Sequence, residues 1–332
     1  MPRLNPNFHR AVFFLYGIDP TDGDLGVCGT GFLVGVQRSS PTPGGNFVWQ
    51  PRHVYAVTSK HVLQDGSFIR INVKGGGSRL LELEPDTWTS AGSGEDLAAI
   101  DITDKLQESD DFRLIHESWL VTRDFSRSVQ LGIGEDGFML GLFRDVPGAD
   151  RNVVAGRFGN LSLLAQDDLP IKRPDRSKRP THIFDIRSRP GFSGSPVFIY
   201  RTPGGDLRET HNGPPMTGIA SRVFARADAS RFYRQAEVFE ARDNTFVKLL
   251  GVHVGQYKDV VRASKSAGTE VAGQPVLDGD RLFIPNSMTL VVPAWEVLDL
   301  LQQTHFGGQR TRREADDDES ERLPYFEDGR AL

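Results

Sequence analysis

Pro190-Gly191-Phe192-Ser193-Gly194-Ser195-Pro196-Val197-Phe198-Ile199-Tyr200 sets a serine between two glycines, at the head of an apolar run rich in β-formers. A glycine two residues before a serine lets the backbone turn tightly, with no Cβ in the way. The N–H of Gly191 and that of Ser193 can then converge on one oxygen. The run that follows reads as a strand. A serine hydroxyl is a weak nucleophile. It needs an imidazole to take its proton and a third group to hold that imidazole's tautomer. It also needs backbone N–H donors aimed at the developing oxyanion. Ser195 stands one residue past the elbow and is the disfavoured alternative.

Two upstream patterns supply the missing parts. Gly29-Thr-Gly-Phe-Leu-Val34 is followed by Tyr55-Ala-Val-Thr-Ser-Lys-His61-Val-Leu63. His61 follows an apolar strand and a Thr-Ser step, so its ring can emerge at a strand end. Gly94-Glu-Asp96-Leu-Ala-Ala-Ile100 places a carboxylate just before another apolar run, where it can lie partly buried against the imidazole. Each pattern alone is common and usually structural. The information lies in their conjunction and order, His61, Asp96, Ser193. An α/β-hydrolase runs Ser, acid, His through alternating strands and helices, and both features are contradicted here.

Outward from these motifs the chain is a series of short runs, among them AVFFLYG, VYAVTS, FIRINV, GFMLGLF, HIFDI, VKLLGVHV and MTLVV, separated by turn residues. Thirty-five glycines and twenty prolines suit a turn-dense all-β fold. One helix is expected over Pro293–Gln303, with Pro293 in the first turn, Val297, Leu298, Leu300 and Leu301 on one apolar face, and Gly307 and Gly308 as stops. A second helical candidate is Asp228–Arg242. Residues 306–332, with RTRREADDDESER among them, read as a charged tail without structure of its own. The basic, Pro-containing stretch Ile171–Pro180 reads as a solvated connection.

Among 332 residues, 25% are charged and 38% hydrophobic, enough for a sizeable core. The net charge of −5 gives nucleic-acid binding no electrostatic support. No apolar run approaches the roughly 20 residues that span a bilayer. One cysteine, Cys28, permits no intramolecular disulfide and leans toward a reducing compartment. The N-terminal residues lack a signal-peptide layout, so a cytoplasmic protein is expected. The eight histidines include no metal-binding spacing such as H-x-x-x-H, and the glycine clusters at 75–77 and 132–134 lack a following Lys-Ser/Thr. No metal or cofactor is expected.

With these residues in view, the chain resembles the trypsin-like, chymotrypsin-fold serine peptidases. His61 in TSKHV, Asp96 in EDLAAI and Ser193 in GFSGSPV stand where that family has its histidine, aspartate and serine. The GFSGSPVF form is especially like bacterial glutamyl endopeptidases and related cytoplasmic bacterial peptidases. The resemblance implies two packed antiparallel six-stranded β-barrels with the site between them. The first barrel would take residues 1–127. The second would take residues 128–305, with an inserted segment at about 201–245 and the C-terminal helix. It further implies endopeptidase chemistry through an acyl-enzyme on Ser193, with Gly191 and Ser193 as oxyanion donors and a protein or peptide as substrate. Phe192 replaces the aspartate of trypsin-type zymogens, so control would come from elsewhere, a regulatory protein partner included.

Val247–Gly255 is similar to the strand that walls the family's primary specificity pocket, which implies cleavage after Glu or Gln with Ser188, His253 and Gly255 lining the pocket. The alternatives are an ordinary strand histidine at 253 and a wall strand at Met216–Ser221 instead. Arg187 and Arg189 flank Ser188 and would favour acidic substrates if they face the pocket. The rival to catalysis is a silent trypsin-like fold used as a binding module, which the complete set of three side chains argues against.

Overall fold

A computed structural model describes residues 3–18, 23, 25–37, 51–63, 68–202, 245–262, 270–271, 274–275 and 281–319. The helical candidate 228–242, the rival strand 216–221, nearly all of the insertion and residues 320–332 lie outside them.

The first sheet is built from β1 (Val12–Ile18), β2 (Leu25–Gln37), β3 (Pro51–Thr58), β4 (Phe68–Asn72), β5 (Ser78–Glu82), β6 (Thr89–Ser90), β7 (Ala98–Asp101) and β8 (Ile115–His116). Its order is β5-β4-β1-β2-β3-β7-β6, and β8 runs parallel beside β2. After α1 (Arg123–Ser128) come β9 (Asp136–Leu142), β10 (Val154–Leu163), the hairpin β11 (Ile171–Lys172) and β12 (Lys178–Arg179), β13 (His182–Asp185), β14 (Pro196–Arg201) and β15 (Phe246–Arg262). The short pair β16 (Glu270–Val271) and β17 (Gln274–Pro275) precedes β18 (Arg281–Pro293), α2 (Ala294–Leu301) and α3 (Thr304–Glu319).

One of the two expected barrels closes. β10-β13-β18-β15-β14-β9 is a closed six-stranded barrel, whereas the first sheet stays open among the described residues. The reason lies at its ends. Closure requires the two outer strands to share a ladder, and β6, two residues long, pairs with β7 but makes no ladder with β5 among the described residues.

Period-two alternation explains why the strands of the first sheet are apolar on both faces. Phe13 and Leu15 of β1, Leu33 of β2 and Val54 and Ala56 of β3 fill that sheet's own core. Their neighbours Val12, Phe14 and Tyr16, Phe32 and Val34, and Tyr55 and Val57 belong to the larger core, which continues into Phe138, Phe192, Phe198 and Leu250 of the second half. The two halves are thus packed through one apolar seam, and the candidate residues lie along it.

α2 forms where the sequence places it. Ala294, Trp295, Val297, Leu300 and Leu301 are buried, although Pro293 is the N-cap rather than part of the first turn. The expectation of an unstructured tail from residue 306 does not hold for its first part, because α3 runs straight through Gly307 and Gly308. The Phe306 ring is buried edge-on against Tyr55, with centroids 5.0 Å apart. Arg310 donates to the Tyr55 hydroxyl at 3.1 Å, Arg313 donates to Asp101 at 2.8 Å, and Glu314 meets His53 at 3.0 Å. Of the charges that read as solvated in the sequence, Arg313 meets Asp101 on β7 and Asp104 just beyond it, while Glu314 accepts from the His53 ring, whose pKa burial lowers.

Candidate active site

β3 delivers His61. The strand ends at Thr58, Ser59 turns the chain, and the 3₁₀ turn Lys60–Val62 lifts the imidazole so that 45% of its side chain stays exposed. Asp96 sits at the centre of an i→i+2 turn, with Leu97 N donating to Glu95 O at 2.8 Å. The loop is closed further by Ala91 N to Leu97 O at 3.0 Å. The Asp96 carboxylate accepts from the His61 backbone N–H at 2.9 Å and from Nδ1 at 2.5 Å. Nδ1 donates to that carboxylate, and in the neutral ring this tautomer leaves Nε2 with its lone pair.

The serine elbow is a built turn. Phe192 N donates to Arg189 O at 3.2 Å, Pro190 occupies the second position, and Gly191 the third with φ 101°, as a type II turn requires. Gly194 is also left-handed, φ 84°, and its N–H donates to His253 O at 2.8 Å. The N–H groups of Gly191 and Ser193 donate to no acceptor among the described residues. Phe192 is fully buried in the core. So is Ser195, and a Cβ placed on Gly141 would lie 2.1 Å from its Oγ, so no substrate has room beside that hydroxyl.

Thr30, between the two glycines of the first motif, is the residue that sequence reasoning missed. Its N–H donates to Ser193 O at 2.9 Å, its hydroxyl donates to Gly191 O at 2.7 Å, and the same hydroxyl accepts from Leu142 N at 2.9 Å. Its carbonyl in turn accepts from the Thr58 hydroxyl at 2.7 Å, close to the His61 turn. A polar side chain within an apolar strand, flanked by glycines that allow close approach, was the available signal. The approach is close indeed: a Cβ on Gly29 would lie 2.9 Å from Val62 Cγ1 and 3.0 Å from Ser193 O, and one on Gly194 would lie 3.1 Å from Ser59 N. The elbow and the His61 turn therefore abut. His61 and Asp96 are bonded, whereas the half-buried Ser193 hydroxyl makes no hydrogen bond among the described residues.

Of the three residues expected to line a specificity pocket, His253 is the most distinctive. It lies beside the elbow on β15, its ring buried with neither nitrogen partnered. Burial first, and the neighbouring His61 second, push its pKa down to about 4, so the ring is neutral. Ser188 is half-buried, and a Cβ on Gly255 would meet only Leu290 Cδ1 at 3.8 Å. β14 pairs with β15 no further than Val252, and among the described residues no other strand pairs with that edge of β15 from Val254 onward. Arg187 and Arg189 are exposed and form no ion pair among the described residues.

No protein-family model matches the sequence, and no curated protein matches it. Among solved structures, one titled "Crystal structure of Deg5" aligns with TM-score 0.34 and 17% identity, covering 59% of this chain and 81% of that one. At that level the likeness decides neither family nor activity. Among the described residues no helix is long and apolar enough to cross a membrane.

Proposed function

We propose that the protein is a serine endopeptidase. Ser193 is the nucleophile, His61 the general base through Nε2, Asp96 the group that holds the imidazole tautomer, and the Gly191 and Ser193 amides the oxyanion donors. The observation that carries this reading is the His61–Asp96 pair abutting a serine elbow whose two amides, Gly191 and Ser193, donate to nothing among the described residues. Ser193 Oγ would give its proton to His61 Nε2 while attacking the peptide carbonyl. The imidazolium would return that proton to the departing amine, and water, activated by the same ring, would release the acyl group. Bonds of the Ser–His kind are often loose before substrate arrives and tighten in the complex.

The edge of β15 that has no strand partner among the described residues supports docking of an extended peptide as an added strand. The neutral, unpartnered His253, with Ser188 and Gly255, supports a pocket for a Glu or Gln side chain, whose carbonyl or carboxylate oxygen would accept from the ring. Arg187 and Arg189 would favour acidic segments. An inactive binding module is the second reading, favoured by the unbonded Ser193 hydroxyl. Incubating a proteome with the wild type and with Ser193→Ala, then mapping new N-termini, tests both. Cleavages after Glu or Gln that vanish in the variant are expected. Cleavage after Arg, Lys or bulky apolar residues removes the pocket assignment, and identical maps favour the silent module.

A further inference from the structure

The loop that carries Asp96 is held by the other half of the chain. Glu95, immediately before Asp96, is buried with its carboxylate gripped by both terminal nitrogens of Arg173, Nη1 at 2.5 Å and Nη2 at 3.1 Å. Arg173 is itself buried, and two further bonds hold it: Nε donates to Thr181 Oγ1 at 2.7 Å and Nη2 also to Pro180 O at 3.3 Å. A guanidinium held at so many points presents a rigid fork whose geometry a carboxylate matches. Arg179 on the same hairpin donates to Ser93 O at 2.7 Å and packs against Gly94, where a Cβ would lie 3.0 Å from its Nη2. The hairpin is anchored in the second half as well, since Tyr257 of β15 donates to Lys172 O at 2.8 Å. The stretch that read as a solvated connection is a brace.

We propose that Arg173 and Glu95 are positioning residues: the ion pair fixes the backbone at Glu95, and so places the Asp96 carboxylate one residue on against His61. This rests on the reading of His61, Asp96 and Ser193 given above. Because the brace comes from the second half, the acid and the elbow are referenced to the same barrel, and the His61 turn is held between them.

The test pairs kinetics with a spectroscopic signature that a merely structural role would not move. In Arg173→Ala, kcat falls by about a hundredfold, the cost of an ångström-scale misplacement, while KM changes little. The far-downfield proton resonance of the His61 Nδ1–H···Asp96 bond weakens or disappears. Since that variant leaves the buried carboxylate with only Arg179 Nη1, 3.9 Å away, Glu95→Met combined with Arg173→Met restores packing without that charge pair. The double variant is expected to melt like wild type yet keep the low kcat and lack the downfield proton. Lys178→Ala, exposed on the same hairpin, serves as a control and behaves as wild type. Return of kcat and of the downfield proton along with thermal stability in the double variant would overturn the proposal, as would an unchanged resonance in Arg173→Ala. A wild type that cleaves no peptide bond defeats the functional reading alone, because the resonance still reports the placement of Asp96.

Discussion

Thr30 ties the first sheet to the elbow with two hydrogen bonds and to β9 with a third, two of the three through one hydroxyl. Thr30→Val keeps the volume but strands the Leu142 N–H and the Gly191 carbonyl in a buried seam. Each orphan costs about 1–3 kcal/mol, so the urea midpoint should drop measurably and kcat with it. A variant as stable and as active as wild type would show that the pin is dispensable. Gly191 has a sharper requirement. Its φ of 101° and a Cβ only 2.8 Å from Leu142 O make Gly191→Ala strain the turn that points one oxyanion donor. The expected result is a kcat lower by about 10²–10³-fold, the loss seen when such a donor is removed, with KM little changed. The triad candidates were legible because their chemistry demands flanking glycines and apolar strands. Thr30 and Arg173 were not, since what distinguishes them is the partner each meets 161 and 78 residues away in sequence.

At the scale of elements, strand-rich architecture and the helix after Pro293 could be read from short apolar runs and a 3.6-residue stripe. Closure of the first sheet could not, because it depends on whether the two outer strands share a ladder, and β6 makes none with β5 among the described residues. α3 escaped for a different reason. Its mean composition is that of a solvated tail, and a single aromatic anchor, Phe306, with a hydrogen bond to His53 and ion pairs to Asp101 and Asp104 decides its docking. Phe306→Ala should therefore cost about 3–5 kcal/mol, the range for deleting a buried ring. The check is chemical denaturation of the full chain. A loss below about 1 kcal/mol would mean that α3 contributes little to the folded state.

For the whole molecule, acid sensitivity follows from buried histidines: burial lowers the pKa of His116, to about 4, and of His53 and His9, and the two fully buried rings are His182 and His253. Burial holds His182 at a pKa of about 3 and His253 at about 4, both far below the ordinary 6.5. Above about pH 6.5 both rings are neutral in the folded and unfolded chain alike, and stability is complete. As pH falls from 6.5 toward 4, the unfolded chain binds protons that the folded one refuses. Stability then declines by about 1.4 kcal/mol per pH unit for each ring. Denaturation midpoints taken between about pH 7 and 5 should fall accordingly, and His182→Gln should make the decline shallower. A profile that is flat in the wild type would contradict the burial of both rings.

Serine peptidase chemistry requires that the alcohol of Ser193 be activated by its neighbours, and covalent labelling with a fluorophosphonate followed by peptide mapping measures that directly. One adduct on Ser193 is expected, formed quickly in the wild type, slowed severely by His61→Ala and absent in Ser193→Ala. No adduct under any condition, or one on another residue that forms equally fast without His61, would contradict it.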